Sequence, residues 1–309
     1  MKILIELPTW LGDTIMMTPA FENLLRNYDK PQVTLIGALV SLEVLEKHPQ
    51  VVNTFLINKK YLNLYKTVKN LEEFDAFFSF RGSFRSMIMK FLVSSKKKYQ
   101  YKSRLFKNQH QVEKYNNFVN KSLDVNFDPG RLYFNKDLKV TTNKSNLVVG
   151  INPGASYGSS KRWYPSEFAK VAAALSNKYD IVIFGGTNEK NFAKNIENLL
   201  IEKGVFNYQN LAGSTNISDL IKHIANLDLF ITGDSGPMHV ASSYEIPTVS
   251  IFGPTRHDET SQWKNQKSVI VKKKLECQPC MKRTCPLKHH NCMRLIKSED
   301  VLSAVKSVT

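Results

Sequence analysis

The chain has 309 residues, 42% of them hydrophobic and 23% charged. That length suits two domains of ordinary size, and the composition excludes a disordered or fibrous chain. No apolar run approaches the roughly 20 residues of a membrane-spanning helix. The net charge of +16 asks for an anionic partner, whether nucleic acid, an anionic membrane face or a phosphorylated substrate. A general basic bias of the proteome would produce the same excess, but Lys97, Lys98, Lys102 and Arg104, interleaved with Tyr99 and Tyr101, cluster it locally.

Read in chain order, short apolar runs alternate with helical stretches. Ile3–Leu7 is expected as the first strand; it carries Glu6, and it is too short and lacks the cleavage site of a secretory signal. Strands are expected at Val33–Gly37, Thr54–Ile57 and Ala76–Phe80. Helices are expected at Thr14–Asn27, Ser41–Lys47, Tyr61–Leu71, Ser83–Val93 and Gln111–Ser122. After the polar stretch from Asn135 to Asn146, the best linker candidate, come Leu147–Ile151, Ile181–Gly185, Leu229–Thr232 and Thr248–Phe252. These nearly continuous apolar runs suit parallel strands buried on both faces. Helices are expected at Pro165–Ser176, Glu189–Lys203, Ile217–Asn226 and Pro237–Ser243, and a terminal one at Ser298–Val308 with Ser298 as its N-cap. The pattern predicts an α/β chain of two Rossmann-like domains, 1–143 and 144–297, followed by a C-terminal helix, 298–309. Domains of this kind facing a central cleft hold ligands beyond the C-terminal ends of their strands.

The informative residues follow strands. After the first comes Pro8-Thr9-Trp10-Leu11-Gly12-Asp13, where Gly12 permits a tight turn. Asp13 reads either as a helix N-cap or as a carboxylate that takes a proton from an acceptor hydroxyl. The loop has no GxGxxG, and the chain has no G-x-x-x-x-G-K-[ST], which argues against dinucleotide and P-loop readings. The loop from Asn152 to Trp163 contains Gly154, Ser156, Gly158, Ser159, Ser160 and Lys161. Its backbone N–H groups, hydroxyls and lysine can hold a diphosphate, and an ordinary solvated loop is the alternative. The third segment runs from Thr232 to His239. Pro237 suits a first helical turn, so Ser235 and Gly236 face an anion at a helix N-terminus. Asp234 repels phosphate and is assigned to sugar or ribose hydroxyls or to orienting a cation. His239 is either structural or on the ligand side.

These three segments, together with Pro247–Thr255, resemble in order and over nearly the whole chain glycosyltransferase family 9, the ADP-heptose:lipopolysaccharide heptosyltransferases. Within the family, two segments are similar to heptosyltransferase II: Ser79–Ser86, and the tail from Cys277 to Met293 with its four cysteines and His289-His290. His110–Tyr115 also resembles the family's acceptor-domain helix. The resemblance implies a GT-B fold and inverting transfer of L-glycero-D-manno-heptose from ADP-heptose to the first heptose of the lipopolysaccharide inner core. The acceptor is heptosyl-Kdo2-lipid A, and no metal or other cofactor is required. It implies Asp13 as base and Ser156, Lys161, Glu189, Asp234, Ser235, Gly236 and His239 as donor-binding residues. Trp10, Gly12, Arg81, Arg85 and Lys98 are the acceptor-side candidates. Ala155-Ser156 stands where relatives often have paired hydroxyls before the lysine, so one phosphate hydroxyl is missing. A peripheral place on the cytoplasmic face of the inner membrane follows, with the basic 96–104 stretch meeting lipid phosphates.

All four cysteines lie between Cys277 and Cys292, which is unlike a secreted disulfide framework and places the chain in the cytoplasm. Cys277, Cys280, Cys285 and Cys292 are spaced x2, x4 and x6. One CxxC with further Cys and His can bind zinc, but the second CxxC of a ribbon is absent, which favours a structural loop whose cysteines are reduced or occasionally oxidised. Within enzymes, heptosyltransferase I or III or another family 9 transferase remains open. Outside them stands a basic nucleic-acid-binding protein with a cysteine module. No RRM, helix-turn-helix or paired finger supports it, and no nucleic-acid partner is expected.

Overall fold

The computed structural model describes residues 1–57, 61–133 and 146–309; the linker candidate 135–146 lies outside them except for Asn146. The chain divides into two compact units, Met1–Asn135 and Lys136–Thr309. Each is built on a parallel sheet.

In the first unit, β1 (Lys2–Glu6), β2 (Gln32–Gly37), β3 (Val51–Leu56), β4 (Phe74–Ser79) and β5 (Ser95–Gln100) take the order β3-β2-β1-β4-β5. The helices are α1 (Leu11–Met16), α2 (Thr18–Arg26), α3 (Leu39–Leu45), α4 (Tyr61–Lys69), α5 (Phe84–Leu92) and α6 (Gln111–Leu123). The strand order reverses between β1 and β4, which pair from Ile3↔Ala76 to Glu6↔Ser79. The loops leaving these two strands therefore emerge side by side, at the switch point where doubly wound sheets bind ligands.

In the second unit, β6 (Leu147–Asn152), β7 (Tyr179–Ile183), β8 (Tyr208–Asn210), β9 (Leu229–Gly233), β10 (Thr248–Ile251) and β11 (Ser268–Val271) take the order β11-β10-β9-β6-β7-β8. Its helices are α7 (Pro165–Leu175), α8 (Lys190–Glu202), α9 (Ile217–Ala225), α10 (Gly236–Ser243), α11 (His257–Thr260), α12 (Asn291–Arg294) and α13 (Ser298–Val308). The reversal lies between β6 and β9, paired from Val149↔Leu229 to Asn152↔Thr232. Val149, Ile151, Leu229, Ile231, Val249 and Ile251 are fully buried, as strands covered on both faces must be. Trp163, 1% exposed, donates its indole N–H to the Ile296 carbonyl at 3.0 Å, so its polar atom is satisfied. Burying a side chain of that size contributes about 3 kcal/mol.

Several expectations are corrected. The single helix over 14–27 is two, because Pro19 has no N–H to continue the ladder and the chain restarts at Thr18. The first of them begins at Leu11 with Trp10 as N-cap. Gly12 is therefore inside a helix rather than in a tight turn, and Asp13 is the third helical residue rather than the cap. Three strands, β5, β8 and β11, fall outside the expected set, and all three are edge strands. An edge strand is covered less completely and needs no continuous apolar run. β5 carries three consecutive lysines, β8 is a polar stretch of three residues, and β11 is a half-buried stretch of four. Lys297, not Ser298, is the N-cap residue of α13, and its N–H is satisfied by the Asp300 carboxylate at 2.9 Å. That helix is no separate appendage, since it packs on β10, β11 and α7 and buries Val301, Ala304 and Val305.

Candidate active site

At the switch point of the first unit, Asp13 lies in the first turn of α1, just beyond β1. The phenol of Tyr115, on α6, donates a hydrogen bond to it. Burial, and then the Asp13 charge, hold that phenol well above its usual titration range, so it stays a donor. Tyr115 is fixed from behind by an aromatic cluster, with Tyr101 at 5.0 Å and Phe80 at 5.7 Å between ring centroids. α6 itself begins with a reciprocal cap. The His110 ring accepts from the Val112 N–H at 3.2 Å, and Glu113 accepts from the His110 N–H at 2.8 Å.

The last residue of β1, Glu6, is fully buried. Its two oxygens accept from the Ser79 hydroxyl at 2.5 Å and the Ser86 hydroxyl at 2.8 Å, and Arg81 stands 3.5 Å away. Burial pushes the Glu6 carboxyl up, against the lowering pull of Ser79, Arg81, Ser86 and Arg85. Both basic acceptor-side candidates of the Ser79–Ser86 segment are thus gathered around one internal carboxylate. Trp10 stands near Asp13 in the chain and is 52% exposed. Lys98 is not brought to this group. Its ammonium donates to the Phe91 carbonyl at 3.4 Å, in the last turn of α5, away from the C-terminal ends of the strands.

The second unit assembles the other set. Asn152, ending β6, donates to the Thr232 hydroxyl at 3.0 Å and the Ser235 hydroxyl at 2.9 Å, which ties the first loop to the third. Lys161 forms an ion pair of 2.6 Å with Asp234, whose same oxygen accepts from the Thr255 hydroxyl at 2.6 Å. Of the two roles weighed for Asp234, orienting a cation is the one this geometry displays. The Lys161 ammonium also lies 4.9 Å from the centre of the Tyr157 ring. Ser235 is the N-cap of α10, with Gly236 and Pro237 in its first turn, and His239 is buried one turn on.

Glu189 is 7% exposed and accepts from the Gly186 N–H at 2.7 Å. Its carboxylate presses on Gly154 so closely that a Cβ there would come within 2.2 Å, which is why a glycine is needed in the loop. Ser156 is exposed at the loop's tip.

Sequence reasoning missed Glu6 and Tyr115 as parts of the site. An acid inside an apolar strand is the available signal for Glu6. For Tyr115 the only signal is the likeness of His110–Tyr115 to the family's acceptor-domain helix, which does not reveal a contact with Asp13, 102 positions away.

Beside the 152–163 loop lies the cysteine segment. Cys277, Cys280, Cys285 and Cys292 are free thiols lining one small, partly open cavity of about 20 Å³. Burial and the charges of the other three push the Cys292 thiol up to about 11.

A sequence profile of glycosyltransferase family 9 (heptosyltransferase) matches residues 62–291. The chain is 40% identical over 319 residues to the lipooligosaccharide heptosyltransferase 2 of Campylobacter jejuni subsp. jejuni serotype O:2, an alignment covering 100% of this chain and 98% of the relative. It is 24% identical over 305 residues to the lipopolysaccharide heptosyltransferase 2 of Escherichia coli K12, covering 87% and 88%. Among solved structures, that of Escherichia coli ADP-heptose LPS heptosyltransferase II superposes with a TM-score of 0.79 at 20% identity, covering 100% and 98%. The two parallel sheets are those of the GT-B fold.

Proposed function

The chain belongs to glycosyltransferase family 9, the heptosyltransferases, and from that membership we propose that it is a heptosyltransferase II of lipopolysaccharide core assembly. It transfers L-glycero-D-manno-heptose from ADP-heptose to the first inner-core heptose of heptosyl-Kdo2-lipid A. The observation that carries this reading is full-length identity of 40% to a lipooligosaccharide heptosyltransferase 2.

Asp13 is the base in this reading. The Tyr115 hydrogen bond fixes the carboxylate's orientation, so the acceptor hydroxyl meets a positioned proton acceptor rather than a rotating one. As the hydroxyl oxygen attacks the anomeric carbon, the bond to the ADP oxygen breaks, and inversion follows from attack on the opposite face. Negative charge then grows on the diphosphate. Lys161, held in place by Asp234, retains donor capacity for that charge, joined by the Gly236 N–H and the Ser156 hydroxyl. Glu189 supports the loop from beneath and receives the ribose. The charge stabilisation is assigned to side chains and backbone, with no metal on the diphosphate. Arg81 and Arg85, anchored by Glu6, face the anionic acceptor.

Among the described residues, no helix is long and apolar enough to cross a membrane. The finer reading is peripheral contact with the anionic cytoplasmic face of the inner membrane. Phe84, Met87 and Phe91 recur along one face of α5 and are 67%, 51% and 84% exposed, and Lys90, Lys102 and Arg104 are their neighbours in the chain and in the adjoining recess. Apolar side chains with interspersed cations suit the headgroup boundary of an anionic bilayer.

The test is transfer from ADP-heptose to Kdo2-lipid A acceptors with and without one heptose. Transfer only to the heptosylated acceptor supports the reading. Transfer only to the unsubstituted acceptor makes the protein a heptosyltransferase I instead.

A further inference from the structure

The cysteine segment is joined to the diphosphate loop through three successive carbonyls between Cys280 and Cys285. The Met281 carbonyl accepts from the Tyr157 hydroxyl at 2.7 Å, the Lys282 carbonyl from the Ser160 hydroxyl at 2.5 Å, and the Arg283 carbonyl from the Ser160 N–H at 3.1 Å. Gly158 lies so close to Arg283 that a Cβ would come within 2.2 Å of its carbonyl oxygen. From the far side, the His290 ring bonds the Ser160 carbonyl at 2.8 Å and the Tyr164 hydroxyl at 3.2 Å. Both nitrogens of His290 are thereby engaged, which removes it from any ligand set; the cavity is lined by the four cysteines and by His289, whose Nδ1 accepts from the Asn291 N–H at 3.0 Å.

The segment that makes these bonds has no strand or helix from Lys272 to His290. A loop of that length needs something other than a ladder to hold its shape. Four soft donors around a space of about 20 Å³ suit a single ion, because a tetrahedral thiolate shell places each sulfur ~2.3 Å from its centre. Among the described residues no three such side chains yet stand at coordination distance of a common point. Binding an ion therefore requires the cysteine side chains to turn toward the cavity.

We propose that Cys277, Cys280, Cys285 and Cys292 bind one thiolate-coordinated metal ion, zinc or iron, which holds the 281–283 backbone against the diphosphate loop. The ion is structural: it lies behind the loop and takes no part in the transfer, and its binding releases the thiol protons. The second half of the proposal rests on the donor-loop reading given above.

The full-length protein, purified under reducing conditions without chelator, is analysed for metals and titrated with a thiol reagent. The expected result is close to one ion per chain, with four thiols that react only after chelation. Iron gives a visible thiolate charge-transfer band and zinc does not, so absorbance separates the two. A metal content near zero with four immediately reactive thiols overturns the proposal. Cys285→Ser should lose the ion and weaken ADP binding about tenfold, the loss of one or two loop hydrogen bonds. Tyr157→Phe should keep the ion and weaken ADP binding less. Metal loss with unchanged ADP affinity overturns the positioning role. A metal-replete wild type that binds no ADP leaves the ion site standing and defeats the donor reading instead.

Discussion

The two switch points are built in opposite ways. In the second unit, the loops after β6 and β9 carry their chemistry in short contiguous segments. Their cation and carboxylate, Lys161 and Asp234, are already paired at 2.6 Å. In the first unit, the loop after β1 supplies Asp13, but the groups that orient the site come from far along the chain: Tyr115 from α6, and Arg81 and Arg85 around Glu6. A diphosphate is one ligand shape, which backbone N–H groups, hydroxyls and a lysine can hold. An acceptor hydroxyl needs one carboxylate in one orientation, and orientation comes from tertiary packing. On the proposed reading, the difference teaches that the donor side is local chemistry and the acceptor side is architecture.

The sharpest way to break that comparison is Asp13→Asn. It preserves shape and removes the base, so kcat should fall by roughly 10²–10⁴-fold while ADP affinity is unchanged. Steady-state kinetics beside calorimetric ADP binding read both. A variant that keeps its kcat removes Asp13 from the chemistry. Next is Lys161→Met, which keeps the length of the side chain and deletes its charge. Loss of a charge-assisted contact to the diphosphate, about 1.5–3 kcal/mol, corresponds to a fall in kcat/KM of about 10- to 150-fold, and ADP binding should weaken with it. If only thermal stability changed, the Lys161–Asp234 pair would be a fold element and the donor site would lie elsewhere.

The same contrast explains what can be read from the sequence. β6, β9 and β10 are legible because strands buried on both faces must be apolar throughout. Pro237 and the glycine-bearing loops after β6 and β9 announce their helix starts and close approaches. β5 reads as a charged segment because its exposed lysines carry no apolar alternation, although Tyr99 stacks on Phe78 at 4.7 Å and the strand pairs with β4 from Phe74↔Ser95 to Ser79↔Gln100. The pairing of Lys161 with Asp234 spans 73 residues, and it becomes visible only once β6 and β9 are known to be neighbours. The contact of Tyr115 with Asp13 and the role of Glu6 are illegible for the same reason: each depends on which strands and helices meet. Cysteine spacing, in turn, does not say that four sulfurs surround one cavity.

A smaller effect probes the membrane contact proposed for α5. Phe91→Glu puts a charge at the most exposed aromatic of α5, 84% accessible, without touching the core. Its binding to vesicles containing anionic lipid should fall several-fold, while transfer to a detergent-dispersed acceptor stays near wild type. Unchanged vesicle binding would move the membrane contact away from α5.

The smallest effect concerns two carboxylates shifted in opposite directions, one in each unit. Glu6 titrates above its usual range, since burial outweighs Ser79, Arg81, Ser86 and Arg85. The folded state therefore holds its proton more tightly than the unfolded chain, and the stability this gives is present at low pH and lost as pH rises through the folded value. Asp300 titrates below its usual 3.8, chiefly through the Lys273 hydrogen bond and then, against some burial, the Lys297 N–H. Its contribution is complete above that usual value and is lost as pH falls through the depressed one. Because the Asp300 side chain is 34% exposed, solvent screening keeps the effect of Asp300→Asn below about 1 kcal/mol at neutral pH. Amide exchange in the first turn of α13 reads it locally, and the difference from wild type should vanish in acid. In β1, Glu6→Gln should gain protection relative to wild type as pH rises. Parallel pH profiles in both segments would mean that neither carboxylate couples its unit's stability to protons, and that Glu6 holds Arg81 and Arg85 by packing rather than by charge.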